Sequence, residues 1–396
     1  MDQRYPVVAG AWLTQFTVIG LMFTFGLLFD VFEEEFGWQR VVLSSATSIA
    51  FLMMGVLAIL AGQVADRWGP RVVLACSGLL FGAGYMLIAQ VTEPWQLLVL
   101  FATLIALGMS THDVVTLSLI ARWFEKRRGV MTALVKVGTA CGQFSLPPLA
   151  AWAILSFGWQ TALTLLGGAA AAVLLSAALL TRAPPPPERA ADGSAATVPG
   201  YSFAAARQSS TFWRICVVQF MFFASLMTIP VHIVPHGTDL GLELGAAAAL
   251  LSVMAAASIA GRIGVGAFVD RIGGRRAYVI CFVPLILSLV ALLVVTSPMA
   301  LYAVIALYGF AHGGFFTVVS PTVAEFFGLR AHGAIFGVVL FCGTIGGAVG
   351  PLLAGWVFDT TGSYSPAFIT LAVMGAAGLA TALSLPRIGP PSGETA

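Results

Sequence analysis

Gly62-Gln63-Val64-Ala65-Asp66-Arg67-Trp68-Gly69 and Gly266-Ala267-Phe268-Val269-Asp270-Arg271-Ile272-Gly273 hold Gly, Asp, Arg and Gly at the same four places, 204 residues apart. The offset extends well beyond the two octets. Gly129, Gly142, Pro147 and Trp152 return as Gly333, Gly346, Pro351 and Trp356 at the same shift. One constant offset held across so many positions marks an internal duplication whose period spans several helices.

The composition says where those helices lie. Of the residues, 59% are hydrophobic and 9% charged, and the mean hydropathy is +0.95. That leaves too little polar surface to coat a soluble globule. A span needs ~20 mostly apolar residues to cross the hydrocarbon. On that basis twelve runs are expected, at 8–31, 42–64, 71–92, 95–121, 129–156, 160–181, 213–235, 245–268, 276–296, 299–325, 333–357 and 364–385. The expected architecture is an all-α membrane protein of two six-helix pseudo-repeats, residues 1–181 and 213–396, joined by a linker at 182–212 rich in Pro, Ala, Gly and Ser. Two parallel halves in a bilayer are the layout of a secondary transporter with its substrate site between them near the midplane.

Sixteen of the nineteen basic residues fall on the side that carries both termini, which predicts cytoplasmic termini. Arg40 lies opposite, and Lys136 and Arg262 fall inside predicted helices. The net charge of +2 reflects this bias and gives no hint of nucleic acid. Cys76, Cys141, Cys216, Cys281 and Cys342 stand in apolar runs without ligand spacing, so neither a disulfide framework nor a metal site is expected. The first run has no small-residue cleavage site after it and reads as a retained span. Phosphate loops and nucleophile triads are missing as well, so no enzyme and no cofactor are expected.

Gly62-x-x-x-Asp66-Arg67-x-Gly69-x-Arg71, doubled at Gly266 to Arg275, resembles the signature loop of the major facilitator superfamily. Arg122-Trp123-Phe124 with Arg127-Arg128-Gly129, Phe36-Gly37-Trp38, and Gly261-Arg262 are similar to the monocarboxylate transporter branch, its bacterial members and the oxalate/formate exchangers. The resemblance runs the full chain. It implies that Asp66 and Arg67, with Arg71, Asp270 and Arg271, act in gating, latching the cytoplasmic side. The same residues also serve as a tight turn and positive-inside anchor. In helix 8 the family carries Asp, three residues, then Arg. Arg262 matches that Arg, whereas Ser258 replaces the Asp usually linked to proton coupling. The helix-1 Lys of the animal carriers is replaced by the Leu27-Leu28 neighbourhood, and the helix-11 cation of the oxalate exchangers is absent from Leu340-Phe341-Cys342-Gly343.

Chemistry is expected where charge is placed in hydrocarbon at a cost of several kcal/mol. The candidates are His112 and Asp113 in the fourth run, Lys136 in the fifth and Arg262 in the eighth. Arg262 is suited to grip a carboxylate with two parallel hydrogen bonds. Lys136 offers either a second cation to the anion or a salt bridge to Asp113. Asp113 and His112 are the proton-handling candidates, Asp113 either carrying the coupling proton or neutralising Lys136. Consecutive helical residues project about 100° apart, so both are not expected to point squarely at one cavity. In the resembling fold helices 1, 4, 7 and 10 line the cavity, which adds His232 and His312. His236 and His332 read as loop residues. Gly138-x-x-x-Gly142 and Gly343-x-x-x-Gly347 are expected to let helices approach closely, with Pro147 and Pro351 as matched bends.

The resulting expectation is a bacterial-type inner-membrane carrier of small monocarboxylates such as lactate or pyruvate, proton-coupled and monomeric. Its partners are the anion, a proton and membrane lipids. A drug/proton antiporter is the alternative, since Gly346-Gly347 with Gly350-Pro351 resembles an antiporter motif that belongs in helix 5. A non-transporting anion receptor is a further reading, for which the chain offers no signalling domain.

Overall fold

The computed structural model of the protein describes residues 4–38, 40–125, 127–184 and 200–387. Among the described residues twelve helices are long and apolar enough to cross a membrane. They are α1 (Arg4–Leu27), α2 (Ser45–Trp68), α3 (Pro70–Ile88), α4 (Pro94–Trp123), α5 (Arg128–Phe157), α6 (Trp159–Leu180), α7 (Ser210–Asp239), α8 (Ala249–Ile272), α9 (Gly274–Ala291), α10 (Pro298–Phe327), α11 (His332–Phe358) and α12 (Ser365–Leu383). The twelve form two six-helix pseudo-repeats of an all-α membrane fold.

The differences from the expected boundaries have a local cause. Runs expected to stop at 64 and 268, where the apolar pattern fades, continue as helix to Trp68 and Ile272. They end because Gly69 and Gly273 adopt φ of 88° and 79°, a region costly for any residue with a Cβ. Backbone chemistry thus stops these helices one turn after hydropathy would. At the C-terminal end of α1 the chain passes through a tighter turn, Phe25–Leu27, and resumes as a helix, Leu28–Phe36, beyond the expected limit of 31. That segment buries Leu28 and Phe32 and leaves Glu33, Glu34 and Glu35 exposed.

The duplication is visible in packing. A Cβ on Gly142 of α5 would collide with the carbonyl oxygen of Phe16 in α1. A Cβ on Gly346 of α11 would collide with that of Phe220 in α7, and both members of the second pair lie 204 residues after the first. Glycine is required at both places for the same reason, close backbone approach without lipid between. Gly138 lies against Trp12 in the same way, its Cβ position 2.7 Å from the Trp12 carbonyl oxygen. In α11 it is Gly346 and Gly350 that meet the α7 backbone, while Gly343 and Gly347 meet side chains of α7.

Two compact units divide the chain: Met1–Glu125, Leu134–Gly200 and Leu329–Val338 make one, and Lys126–Ala133, Tyr201–Gly328 and Val339–Ala396 make the other. Of the expected linker, residues 185–199 lie outside the described residues. Its end is ordered. Ser202 caps a short helix, Phe203–Gln208, and the Tyr201 N–H donates to the Phe327 carbonyl at 2.8 Å. Leu155, Trp152, Phe144, Val294 and Leu352 are among many large apolar side chains that face outward. Such a surface suits hydrocarbon, and with backbone bonds satisfied inside each helix it is the expected exterior of a membrane protein.

Candidate functional site

In the first unit the polar chemistry gathers where α1, α4 and α5 meet. α4 is buried all round from Ser110 to Ala121, so it has no lipid face, and a five-residue π turn, Phe101–Ile105, precedes this stretch. Lys136 and Asp113 are 2% and 8% exposed, and the Lys136 ammonium donates to Asp113 Oδ1 at 2.6 Å. The His112 ring also meets Asp113, its Nε2 3.5 Å from Oδ2. The two side chains thus approach each other despite the step of about 100° between their Cβ directions. His112 Nδ1 contacts the Met109 carbonyl.

Gln15 of α1 completes this cluster, a residue that charge-based reasoning passed over. Its Nε2 donates to Asp113 Oδ1 and to the His112 carbonyl, each at 2.8 Å, and its Oε1 accepts from the Thr139 hydroxyl at 2.8 Å. The available signal was an amide in a run meant for hydrocarbon. Burying an ion pair is tolerable only when remaining lone pairs and protons find partners, and Gln15 supplies them.

In the second unit α8 and α10 carry the other candidates. Arg262 is 2% exposed, and its guanidinium carbon stands 5.5 Å from the centroid of the Phe316 ring, within cation–π range. Ser258 lies one turn earlier on α8, its hydroxyl 3.3 Å from His312 Nδ1. Ser258, Arg262 and His312 are thus on adjoining faces of α8 and α10. His232 joins a different set: its Nδ1 is 3.2 Å from the Tyr364 hydroxyl and its Nε2 3.1 Å from the Pro351 carbonyl, so it ties α7 to α11 at Pro351.

The doubled loop places its two acids in matching roles. Asp270 accepts from the Gly129 N–H at 2.9 and 2.8 Å, capping the start of α5. Asp66 stands at the start of α11, where the Ala334 N–H bonds to it, and it also pairs with Arg122. Both contacts put a carboxylate at the positive end of a helix. Arg67, Arg71 and Arg271 are exposed. Glu325 repeats the device, accepting from the Gly274 N–H at the start of α9 at 2.7 Å.

Two histidines differ from the loop reading. His332 opens α11, is fully buried, and its Nδ1 lies 2.9 Å from the Ser118 hydroxyl. His236 lies in the last turn of α7 with its ring against Tyr364 and Phe368. Both helices run further than the apolar pattern alone indicated.

Twelve spans among the described residues, in two repeats with buried charge confined to particular helices, are the layout of a polytopic transport protein. The family model described as Major Facilitator Superfamily matches residues 11–298 and again 233–396, and the chain belongs to that superfamily. It is 26% identical over 385 residues to Monocarboxylate transporter 13 of Bos taurus, covering 97% of this chain and 89% of that one. It is 26% identical over 452 residues to Monocarboxylate transporter 7 of Homo sapiens, covering 97% and 86%. Among solved structures, the fold is similar to FucP, a Major Facilitator Superfamily transporter in the outward conformation, with TM-score 0.74 and 15% identity over 96% of this chain and 98% of that one. It is likewise similar to the human organic anion transporter MFSD10 (TETRAN), with TM-score 0.73 and 17% identity over 96% and 100%. The chain is therefore a multi-pass membrane transporter related to monocarboxylate transporters.

Proposed function

We propose that this transporter carries small monocarboxylates of the lactate and pyruvate type, in symport with a proton, across a bacterial-type inner membrane. The observation that carries the reading is Arg262: a guanidinium 2% exposed in the middle of a membrane helix marks a substrate pathway, and its planar fork suits a carboxylate. The relatives named as monocarboxylate transporters support it. In this reading Ser258, His312 and His232 contribute from the second repeat, and Lys136 and His112 from the first. The arriving carboxylate competes with Asp113 for Lys136, and the released Asp113 takes up the coupling proton, with His112 3.5 Å away as its relay.

The doubled loop acts as the gate in this scheme. Asp66 and Asp270 hold helix starts in one conformation and release them in the other, while Arg67, Arg71 and Arg271 face headgroups on the cytoplasmic side, where both termini lie. The two repeats, 1–181 and 213–396, are joined through 182–212, in a monomer surrounded by lipid.

The test is uptake of radiolabelled L-lactate into proteoliposomes with and without an inward proton gradient, with Arg262→Ala beside the parent. Gradient-driven uptake lost in a folded Arg262→Ala variant is expected. Unchanged lactate affinity in that variant would remove Arg262 from the site.

A further inference from the structure

Gln219 of α7 stands 204 residues after Gln15, and the two amides differ sharply in how they are satisfied. Gln15 spends its Nε2 on the Asp113 carboxylate and its Oε1 on the Thr139 hydroxyl. Gln219 is fully buried, yet neither its Nε2 nor its Oε1 has a hydrogen-bond partner among the described residues. An orphaned buried amide is destabilising, so its retention calls for an explanation.

The repeat explains what is missing. At the offset of 204, Asp113 corresponds to Thr317 and Thr139 to Gly343. The Thr317 hydroxyl is spent on the Gly314 carbonyl of its own helix at 2.7 Å. Gly343 offers only backbone: a Cβ there would stand 3.0 Å from Gln219 Nε2. The second repeat has therefore kept the amide and lost the two groups that satisfied it, a carboxylate acceptor and a hydroxyl donor. It also holds a cation, linked to the neighbourhood of Gln219 through two aromatic rings. Phe223, one turn beyond Gln219, packs its ring 5.9 Å from that of Phe316, over which Arg262 lies.

We propose that Gln219 is a specificity-determining contact for 2-hydroxy monocarboxylates, in which the substrate supplies both lost groups. One carboxylate oxygen accepts from Gln219 Nε2, the 2-hydroxyl donates to Oε1, and Arg262 neutralises the charge. The substrate carboxylate thus takes in the second repeat the part that Asp113 plays in the first. Because Gln219 is buried, the contact forms when its side chain swings or when α7 and α11 part. The glycines of α11 against α7 leave the backbone smooth enough for that movement. This inference rests on reading the chain as a carboxylate carrier.

A site built to bond a substrate hydroxyl rejects the analogue that lacks it. The experiment is competition against radiolabelled L-lactate uptake by unlabelled L-lactate and propionate, in proteoliposomes of the parent and Gln219→Leu. The parent is expected to prefer lactate by about ten-fold, the worth of one good hydrogen bond. In Gln219→Leu that ratio is expected to fall to about one, with thermal stability unchanged or raised because an unsatisfied amide has been removed. Gln219→Met carries the same expectation should leucine's branch disturb the packing. A ratio that persists in the folded variants, or a parent that does not distinguish the two acids, overturns the role of Gln219 while leaving carboxylate transport standing. A parent that binds neither acid overturns the carboxylate reading and this inference with it.

Discussion

Replacing Lys136 by Met removes the ammonium from a pair in which both partners are nearly dry, 2% and 8% exposed, and 2.6 Å apart. Breaking such a pair from one side costs about 3–5 kcal/mol, because the remaining charge keeps its desolvation penalty. Here the remaining charge is the Asp113 carboxylate, which still receives the Gln15 N–H at 2.8 Å and lies 3.5 Å from His112. Those contacts place the expected loss at the low end, about 3 kcal/mol. Replacing both partners, as Lys136→Met with Asp113→Leu, removes the buried charges together and is expected to return stability to within about 1 kcal/mol of the parent. The assay is thermal unfolding of the four proteins of the cycle in lipid nanodiscs without substrate. The double variant should be more stable than the Lys136 single variant, with a coupling of about 2 kcal/mol or more. Equal losses in single and double variants would refute the argument that the pair is a desolvated unit. The cycle also bears on the proton. If Asp113 carries it, the Asp113→Leu single variant, which keeps Lys136, loses gradient-driven lactate uptake.

Asp270→Asn keeps shape but removes the anion from the start of α5, so stability is expected to fall by about 0.3–2 kcal/mol, less at high salt; no change on thermal unfolding at low salt would show that the cap carries no charge effect. Gly142→Ala and Gly346→Ala place a Cβ into the carbonyls of Phe16 and Phe220, and each is expected to cost about 1–3 kcal/mol or more. Similar losses measured for the two would support equivalence of the α1–α5 and α7–α11 contacts, whereas a cost in one alone would refute it.

Much of the fold was legible because hydropathy and repetition are properties of a linear string. Spans, their number and the duplicate octets needed no knowledge of packing. Helix ends were less legible: at Gly69 and Gly273 a backbone conformation, rather than polarity, decides where the helix stops. The candidate site was legible in its charged members. His112, Asp113, Lys136 and Arg262 announce themselves by the cost of their burial, while Gln15 and Gln219 are neutral and raise no such alarm.

By itself the sequence determined twelve spans, a repeat at 204 residues and the helices that carry buried charge. The tertiary structure alone decided which of those groups meet. It joins Lys136 to Asp113 across two helices, brings in Gln15 from a third, sets His332 on Ser118, and leaves Gln219 without a partner among the described residues. The physical reason is that rotating a helix in lipid about its axis leaves its hydropathy unchanged, so the apolar pattern says little about which face turns inward. That rotation is set by close approach at small residues, as at Gly142 on Phe16 and Gly346 on Phe220, and such contacts exist only once the helices are packed.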